Sequence, residues 1–307
     1  MTSAVVFAYH DVGCRCLKVL LDQRIEVPLV VTHQDDPGEN IWFGSVAALA
    51  RQRGIETIMP ADPGAPEILD RIRALRPEFL FSFYYRLMLK PALLAVARRG
   101  AFNMHGSLLP KYRGRVPVNW AVLHGETETG ATLHEMAEKP DAGRIVDQEA
   151  VPILPDDLAV DVFRRVTGAA ERVLTRSLPK LLDGSAVLRP QDPSKGSYFG
   201  GRKPEDGRID WNSPAKRVHD LVRAVAPPYP GAFAELEGKE LRLLRTRLLP
   251  DRGHARAAAL LYAQGARCYV SCTDGGLLEL LELELDGKPL SAQEFANRIG
   301  DRKVPLH

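Results

Sequence analysis

Residues 102–114 read FNMHGSLLPKYRG, and the rest of the chain is organised around this stretch. It begins as a buried strand does and then places Asn103, His105 and Ser107 at alternate positions. Because residues two apart in an extended chain point to the same face, these three polar groups should converge where the strand ends. An amide that can hold an oxyanion beside an imidazole that can move a proton is typical of an acyl-transfer site. Asn and His at a strand end also serve as ordinary cap and loop residues, so both interpretations stay open at this point.

The composition is that of a globular protein that does not enter a membrane. The chain has 307 residues, 45% hydrophobic and 26% charged, which is enough for two domains of ordinary size. No apolar run approaches the ~18 residues that span a bilayer, and the first residues lack the basic region of a secretory signal. The net charge of +2 gives no electrostatic case for a dedicated nucleic-acid binder.

Cysteine and histidine spacing predicts no metal site. The cysteines occur as C-x-C and C-x3-C, which fits no common zinc pattern and makes poor disulfides, so we predict reduced thiols in a cytoplasmic protein. Four histidines fall on four separate predicted elements without metal-ligand spacing, and we interpret each of them as structural. These residues are Cys14, Cys16, Cys268, Cys272, His10, His33, His124 and His134.

Short apolar strands alternate with helices over the first third of the chain. Strands are predicted at residues 4–9, 26–32, 55–59, 79–83 and 101–105. The first helix between them ends near residue 21, and the later helices span 43–53, 66–75 and 91–99. This alternation predicts βαβ units and a Rossmann-like, mostly parallel sheet with helices on both faces. Ligands bind beyond the carboxyl ends of such strands, where Asn103 and His105 lie. The first turn, residues 10–13, lacks G-x-G-x-x-G, so no NAD is predicted.

A change of composition separates a second domain. Residues 118–124 and 158–182 are predicted helices, the latter interrupted near Pro179, and residues 131–136 and 144–151 are predicted strands. Residues 190–204 are rich in Pro, Ser, Gly and Lys, which is typical of a linker. Beyond it, strands at 232–236, 241–248, 268–272 and 277–283, with helices at 215–226 and 292–299, predict a small β-rich, OB-like domain. The acids between 279 and 286 are predicted to be solvated. We therefore predict a catalytic domain at 1–189, a linker at 190–204 and a C-terminal domain at 205–307.

The stretch Asn103-x-His105-x-Ser107-Leu108-Leu109-Pro110-x-x-Arg113-Gly114 resembles the signature of the folate-dependent formyltransferases. Asp141, within KPDAG at 139–143, matches their third catalytic residue. The segments GRIDW at 207–211 and PGAF at 230–233 resemble the two-domain branch, which includes methionyl-tRNA formyltransferase and the sugar N-formyltransferases. The resemblance runs over nearly the whole chain and is densest up to Gly143.

Four further segments resemble the enzymes that formylate UDP-4-amino-4-deoxy-L-arabinose for lipid A modification in polymyxin resistance. They are VFAYHD at 6–11, DPGE at 36–39, FSFYYR at 81–86 and LPKYRGR at 109–115. The resemblance implies formyl transfer from 10-formyltetrahydrofolate to the amine of a nucleotide-linked 4-amino sugar, with no metal and no NAD. Many of those relatives carry a dehydrogenase-like decarboxylase domain after the formyltransferase, and these 307 residues do not include one. Either a separate protein then performs that step, or the sugar is a different one.

The resemblance also implies roles for particular residues. Asn103 would donate a hydrogen bond worth ~3 kcal/mol to the oxyanion, His105 would carry the proton, and Asp141 would favour the imidazolium form of His105. Folate would contact Leu87, Met88, Leu89, Arg115, Ala137, Glu138, Lys139, Pro140 and Asp141. The sugar nucleotide would contact Tyr84, Tyr85, Ser107, Lys111, Tyr112 and Arg113. From the residues alone, Asp141 could instead form a turn, and Tyr84 and Tyr85 could be half-buried packing.

Three other functions remain as alternatives. Methionyl-tRNA formyltransferase shares the motif, but it must bind a polyanion. Residues 34–40 hold three acids and no base, and residues 204–307 hold 15 basic and 15 acidic residues, so we rank this function second. A 10-formyltetrahydrofolate hydrolase would use the same Asn–His–Asp set with water as the nucleophile. A binding module that has lost activity is the third alternative. The sequence by itself predicts no oligomeric state for any of these functions.

Overall fold

The computed structural model describes residues 2–306, except the side chains of residues 251 and 252. These residues form two compact units. The first unit comprises Met1–Pro117, Glu128–Val151 and Phe163–Gly200, and the second comprises Val118–Thr127, Pro152–Val162 and Gly201–His307. Among the described residues, no helix is both long enough and apolar enough to cross a bilayer.

The chain begins with alternating strands and helices. In chain order these are β1 (Ser3–Ala8), α1 (His10–Asp22), β2 (Glu26–Val31), α2 (Val46–Gln52), β3 (Glu56–Ile58), α3 (Pro66–Ala74), β4 (Phe79–Phe83), α4 (Pro91–Leu94) and β5 (Gly100–His105). They are followed by β6 (Arg113–Gly114), α5 (Pro117–Leu123), β7 (Glu128–Glu135), β8 (Ile145–Pro152), α6 (Ala159–Asp183) and β9 (Tyr198–Phe199).

The first unit is built on a seven-stranded sheet in the order β3-β2-β1-β4-β5-β7-β8. Strands β1 to β5 are parallel to their neighbours, and β7 pairs with β5 in the antiparallel sense. Runs of apolar residues are typical of parallel strands covered on both faces, and Val5, Phe7, Leu29 and Leu80 have no exposed surface. The predicted Rossmann-like, mostly parallel sheet is confirmed, and it brings the ends of β4 and β5 side by side.

Two helices differ from the prediction because of hydrogen bonds with other segments of the chain. Helix α4 ends at Leu94, because the backbone N–H groups of Arg98 and Arg99 donate to the carbonyls of Pro77 and Glu78 at 3.2 and 2.8 Å and turn the chain into β5. Helix α6 continues through Pro179 without the predicted interruption. Proline lacks the N–H that the carbonyl four residues earlier would accept. Here that carbonyl, on Thr175, accepts instead from the Gln23 side chain at 3.0 Å.

The second unit carries an antiparallel sheet, so the predicted β-rich second half is confirmed. Its elements are α7 (Ala215–Val225), β10 (Ala232–Leu236), β11 (Lys239–Arg252), β12 (Ala259–Gln264), β13 (Arg267–Ser271), β14 (Gly276–Leu285), β15 (Lys288–Leu290), α8 (Ala292–Ile299) and β16 (Lys303–Leu306). The strand order is β10-β11-β14-β13-β12-β16, with β15 beside β14. The sequence analysis missed β12, β15 and β16.

One acidic residue of β14 departs from the prediction of a solvated face. Glu279 is buried, and its carboxylate oxygens lie 3.3 Å from Arg247 and 3.5 Å from Arg267. A buried carboxylate requires such partners, because desolvation otherwise penalises its charge. The prediction for Glu279 was therefore wrong, since its two arginine partners come from neighbouring strands.

Candidate active site

A cavity of about 380 Å³ opens at the carboxyl ends of β4 and β5 in the first unit. Its walls come mainly from the end of β5 with Gly106, the turn 84–89 after β4, residues 114–117 and the loop 136–141. Tyr198 of β9 also lines it. The edge that the sequence analysis singled out is therefore the edge where this cavity lies.

His105 is buried at the end of β5 and held from two sides. Its Nε2 lies 2.8 Å from the carbonyl oxygen of Tyr112, and because a carbonyl only accepts, Nε2–H donates. Its Nδ1 lies 3.5 Å from Oδ1 of Asp141. The imidazole thus sits between a backbone acceptor and a carboxylate, with its ring plane fixed.

Asp141 joins two histidines to the backbone of β6. Its Oδ1 lies 3.5 Å from Nδ1 of His105 and 3.5 Å from Nε2 of His134, and its Oδ2 accepts from the Gly114 N–H at 2.9 Å. Burial alone would raise the pKa of Asp141. The charge of His105, the hydrogen bond and charge of His134 and the Gly114 N–H outweigh burial and hold that pKa well below its usual range. The carboxylate is therefore ionised at any pH near neutrality.

His134 is a site residue that the sequence analysis missed. Strand β7 pairs His134 directly with Asn103 of β5, and Nε2 of His134 lies 3.1 Å from Nδ2 of Asn103. Nδ1–H of His134 donates to the carbonyl of Glu135 at 2.9 Å. In the neutral ring, Nε2 accepts from the Asn103 amide, which leaves the second N–H of that amide for a ligand. The sequence carried no signal for this contact, which depends on the β5–β7 register.

The turn after β4 is held by residues that follow β2. They are His33 and, in the acidic loop at residues 34–40, Glu39. Arg86 forms a two-fold hydrogen bond with the Glu39 carboxylate at 2.6 and 2.7 Å, and its backbone N–H donates to Nε2 of His33 at 3.0 Å. The His33 ring stacks on Tyr85 at 4.1 Å between centroids. Glu39 therefore fixes one wall of the cavity.

Most of the predicted ligand contacts lie together around the cavity. Those that line it are Tyr84, Tyr85, Leu87, Met88, Leu89, Arg115, Ala137, Pro140 and Asp141. Others do not line it: Ser107, Lys111, Tyr112, Arg113, Glu138 and Lys139. Ser107 has no exposed surface, and its hydroxyl donates to the Lys111 carbonyl at 2.6 Å, so it shapes the loop instead of meeting a ligand. Tyr112 is likewise buried, and its carbonyl accepts from His105.

Several residues at or near the cavity have a strained backbone. Positive φ angles occur at Tyr84 (57°), Tyr112 (56°), Val116 (46°) and Asp141 (52°). Positive φ is uncommon outside glycine and a genuine outlier for a β-branched residue such as Val116. Such residues cluster at functional sites, where the surrounding structure holds them in place.

Gly106 is required by its neighbour across the cavity. A Cβ atom at this position would lie 1.9 Å from the hydroxyl oxygen of Tyr84. We expect Gly106→Ala to lower turnover at least tenfold and to destabilise the fold by about 1–3 kcal/mol, because the Tyr84 ring must move. Activity assays and urea unfolding measure the two effects. Gly200→Ala is the matched control, since a Cβ there has open space, and equal behaviour of the two variants would contradict the steric argument.

A second group of rings surrounds His10, the first residue of α1. The His10 ring stacks on Phe43 at 3.8 Å between centroids and meets Trp42 and Phe163 edge-on at 4.7 Å. Burial, with a contribution from the charge of Arg86, lowers the pKa of His10 to about 3. The same two causes lower the pKa of His33 to about 4. Both imidazoles are therefore neutral in the folded protein near pH 7.

The lowered pKa of His10 makes stability depend on pH. Between pH ~6.5 and about 3, the unfolded chain binds a proton at His10 that the folded chain excludes. The free energy of unfolding should therefore fall with falling pH, by up to about 1.4 kcal/mol per pH unit from this residue. In urea unfolding between pH 7 and 5, we expect His10→Asn to remove this part of the slope. Asparagine tolerates the φ of 68° at this position. The exposed control His254→Asn should keep the slope, and an unchanged slope in His10→Asn would refute the assignment.

Family models match both halves of the chain. The formyl transferase model matches residues 11–178, and the model of the formyl transferase C-terminal domain matches residues 202–300. The first match alone spans more than half of the chain. The chain therefore belongs to the formyl transferase family.

Solved structures of sugar N-formyltransferases have the same fold. An N-formyltransferase from Helicobacter canadensis, in complex with folinic acid and dTDP-3-aminofucose, has a TM-score of 0.71 at 20% identity, covering 91% of this chain and 99% of that one. The sugar 3N-formyltransferase WlaRD, with dTDP and 5-N-formyl-THF, has a TM-score of 0.70 at 20% identity, covering 91% and 97%. A sugar N-formyltransferase from a Shewanella species has a TM-score of 0.64 at 18% identity, covering 83% and 99%.

Proposed function

We propose that this formyltransferase moves the formyl group of 10-formyltetrahydrofolate to the amine of a nucleotide-linked amino sugar. The observation that carries the proposal is the cluster of Asn103, His105 and Asp141 in the wall of the cavity beyond β4 and β5. The Helicobacter canadensis N-formyltransferase was solved with folinic acid and dTDP-3-aminofucose, and WlaRD was solved with 5-N-formyl-THF and dTDP. These ligands support a folate as the donor and a nucleotide-linked sugar as the acceptor.

The cavity suits the formyl donor in size and lining. Its volume of about 380 Å³ falls within the range of small-molecule sites, and the turn 84–89 contributes apolar side chains such as Leu87 and Met88. Arg115 adds a positive charge, which suits the carboxylates of a folate. Among the described residues, no group of three or more His, Cys, Asp or Glu side chains is placed to hold a metal ion.

The side chains then divide the reaction between them. The acceptor amine attacks the formyl carbon, and the amide N–H of Asn103 that does not bond His134 stabilises the resulting oxyanion. His105 takes the proton that the amine loses and delivers it to N10 of the folate as the carbon–N10 bond breaks. Asp141, ionised throughout, stabilises positive charge on His105 during the transfer.

The acceptor is proposed to approach from the side of β1. In sheets of this kind, ligands bind where the strand order reverses, and here that point lies between the adjacent strands β1 and β4. His10 follows β1, Tyr84 follows β4, and their ring centroids lie 6.3 Å apart. Tyr84 also lines the cavity, so an amine at this crevice would reach the proposed donor site.

UDP-4-amino-4-deoxy-L-arabinose is the acceptor we propose, within a cytoplasmic lipid A modification pathway. The segments 36–39 and 81–86, which resemble that branch, meet through the Arg86–Glu39 ion pair beside the cavity. The resemblance thus concerns residues that shape the site. From the resemblance and the change of composition at residues 190–204, we assign residues 1–189 to the catalytic domain and 205–307 to the C-terminal domain.

The charge distribution argues against the alternative, methionyl-tRNA formyltransferase. In the acidic loop after β2, Asp35 accepts from the Tyr9 hydroxyl at 2.7 Å and Glu39 binds Arg86. In the second unit, several basic side chains pair with acidic ones, as Arg242 does with Glu240 at 2.6 Å. Paired charges leave little attraction for a polyanion.

A panel of acceptors tests the proposal. The enzyme is incubated with 10-formyltetrahydrofolate and UDP-, dTDP- or GDP-4-amino sugars, charged initiator tRNA, or no acceptor, and products are identified by mass spectrometry. We expect formylation of a nucleotide sugar, fastest with UDP-4-amino-4-deoxy-L-arabinose. Formylation of tRNA alone would overturn the proposal. Hydrolysis of 10-formyltetrahydrofolate at equal rates with and without sugars would also overturn it. A faster dTDP- or GDP-sugar would overturn only the proposed sugar and nucleotide.

A further inference from the structure

The Gln191 side chain spans the turn that carries Asp141. Its Nε2 donates to the backbone carbonyl of Asp141 at 2.9 Å and to that of Gly143 at 2.6 Å. Because both acceptors are carbonyl oxygens, only the NH2 end of the amide can face them, which fixes its orientation. The Oε1 atom is buried and has no hydrogen-bond partner among the residues that the structure describes. The polar contacts of Gln191 within that part of the chain are therefore those of Nε2.

Gln191 belongs to a segment that is anchored without its side chain. The sequence analysis interpreted residues 190–204 as a linker, but the chain just before Gln191 pairs with the start of β8. The Ile145 N–H donates to the Arg189 carbonyl at 2.7 Å, and the Arg189 N–H donates to the Ile145 carbonyl at 2.8 Å. These are backbone hydrogen bonds, so replacing the Gln191 side chain should leave the segment in place.

The turn that Gln191 holds is strained. Asp141 has a φ of 52°, in the left-handed region that residues other than glycine adopt only where the surrounding structure holds them. The Gly114 N–H binds the side chain of Asp141 and leaves its carbonyl free to turn. By binding the carbonyls of Asp141 and Gly143 together, Gln191 fixes the two peptide planes that follow the carboxylate.

The far end of the loop is attached to β7 independently of Gln191. The Arg144 guanidinium binds the Glu135 carboxylate at 2.8 and 2.9 Å, and the Glu135 N–H donates to the Arg144 carbonyl at 2.8 Å. Gly143 passes so close to the same strand that a Cβ atom would overlap the Glu135 carbonyl oxygen. Loss of the Gln191 amide should therefore loosen the turn at residues 141–143 and leave its end on the sheet.

We propose that Gln191 is a positioning residue for formyl transfer, which holds the backbone from which the Asp141 carboxylate faces His105. Oδ1 of Asp141 lies 3.5 Å from Nδ1 of His105, and a displacement of about 1 Å in a catalytic group can cost about 10²-fold in rate. Gln191 does not line the cavity, so it acts through Asp141. The inference rests on the proposed function, in which Asp141 stabilises positive charge on His105.

A double-mutant cycle with Asp141→Asn tests the inference. Gln191→Met removes the amide at nearly the same side-chain length, and we expect it to lower kcat by about 5- to 30-fold. The KM for the formyl donor should stay within about twofold, because the lost effect concerns the transition state. In the Asp141→Asn background the same substitution should lower kcat by less than about twofold, since the charge that Gln191 positions is already absent.

Two further variants control for side-chain size and for folding. Gln191→Glu, whose ionised form keeps the shape but donates no hydrogen bond, should lower kcat as Gln191→Met does. Gln52→Met, at the exposed last residue of α2, should leave kcat unchanged in both backgrounds. Urea unfolding of each variant shows whether a loss of kcat comes from a loss of fold.

An NMR spectrum reports the same contact without turnover. In protein carrying isotope-labelled histidine, the ring-nitrogen signals of His105 are identified by their loss in His105→Ala. They should shift in Gln191→Met in the direction seen for Asp141→Asn, because both variants disturb the Asp141–His105 pair. The signals of the exposed His254 should stay in place in both variants.

The remaining outcomes separate this inference from the proposed function. Equal kcat losses from Gln191→Met in both backgrounds, or unmoved His105 signals, would refute the positioning role while leaving the formyltransferase proposal standing. A raised donor KM and a lower urea midpoint with unchanged kcat would make Gln191 a structural residue only. A wild-type enzyme that formylates no acceptor would overturn the proposed function and this inference with it.

Discussion

Replacing His105 with alanine is expected to lower kcat by about 10²- to 10⁴-fold, the usual contribution of a positioned acid–base group. Proton transfer from the amine to N10 would lose its carrier, because the lost imidazole is the one held between the Tyr112 carbonyl and Asp141 in the cavity wall. His134 lies at the same distance from Asp141. His134 is already bound to Asn103 and to the Glu135 carbonyl, so it should not replace His105. Steady-state turnover with the preferred amino sugar measures the effect.

The affinity for 5-formyltetrahydrofolate separates a chemical role for His105 from a structural one. We expect the dissociation constant of His105→Ala to stay within about threefold of the wild type, since the cavity walls come mainly from other segments. His254→Ala, which removes an exposed imidazole, should leave turnover unchanged. Turnover of His105→Ala within threefold of the wild type would remove His105 from the mechanism.

Asp141→Asn is expected to lower kcat by about 10²-fold or more without unfolding the protein. The substitution removes a negative charge 3.5 Å from Nδ1 of His105, whose positive charge it stabilises during the transfer. Asparagine can still accept from the Gly114 N–H, and it tolerates the φ of 52° at this position. The variant therefore isolates the charge. Turnover and urea unfolding, measured on the same preparation, report the two properties.

Two comparisons sharpen the Asp141 experiment. Asp141→Ala loses the Gly114 hydrogen bond as well as the charge, and the positive φ disfavours alanine, so it should unfold at lower urea than Asp141→Asn. Asp22→Asn, at an exposed position at the end of α1, should change neither property. If Asp141→Asn retained full activity, the carboxylate would be a turn former only, as the sequence alone also allowed.

The strands of the first unit could be predicted because their signal is local. Strand β4 was predicted at its observed bounds, and β5 to within one residue, since each is a short apolar run. The alternation of Asn103 and His105 likewise follows from strand geometry. Helix α6 shows where local reasoning stops: Pro179 indicates a break, and a glutamine far away in sequence supplies the missing donor.

The residues of the candidate site also fall into two groups, those that the sequence predicts and those that only the fold brings together. The segment 102–114 and the KPDAG loop carry His105, Asn103 and Asp141 in the sequence itself, because the motif is contiguous and the aspartate sits in a recognisable turn. His134 was interpreted as structural, since nothing around it resembles a ligand pattern. It became a site residue through the β5–β7 register, which places it opposite Asn103.

The chemical groups of this protein are therefore readable from its sequence, while their partners are not. Residues two apart on one strand must share a face, so the amide and the imidazole of residues 103 and 105 were predictable together. Glu39 reaches Arg86, and Tyr198 reaches the cavity, only because the chain returns to the same sheet edge from distant positions. Backbone geometry governs neighbours along a strand. Contacts between distant segments follow from packing the whole chain, since burying the apolar strands brings their polar ends together.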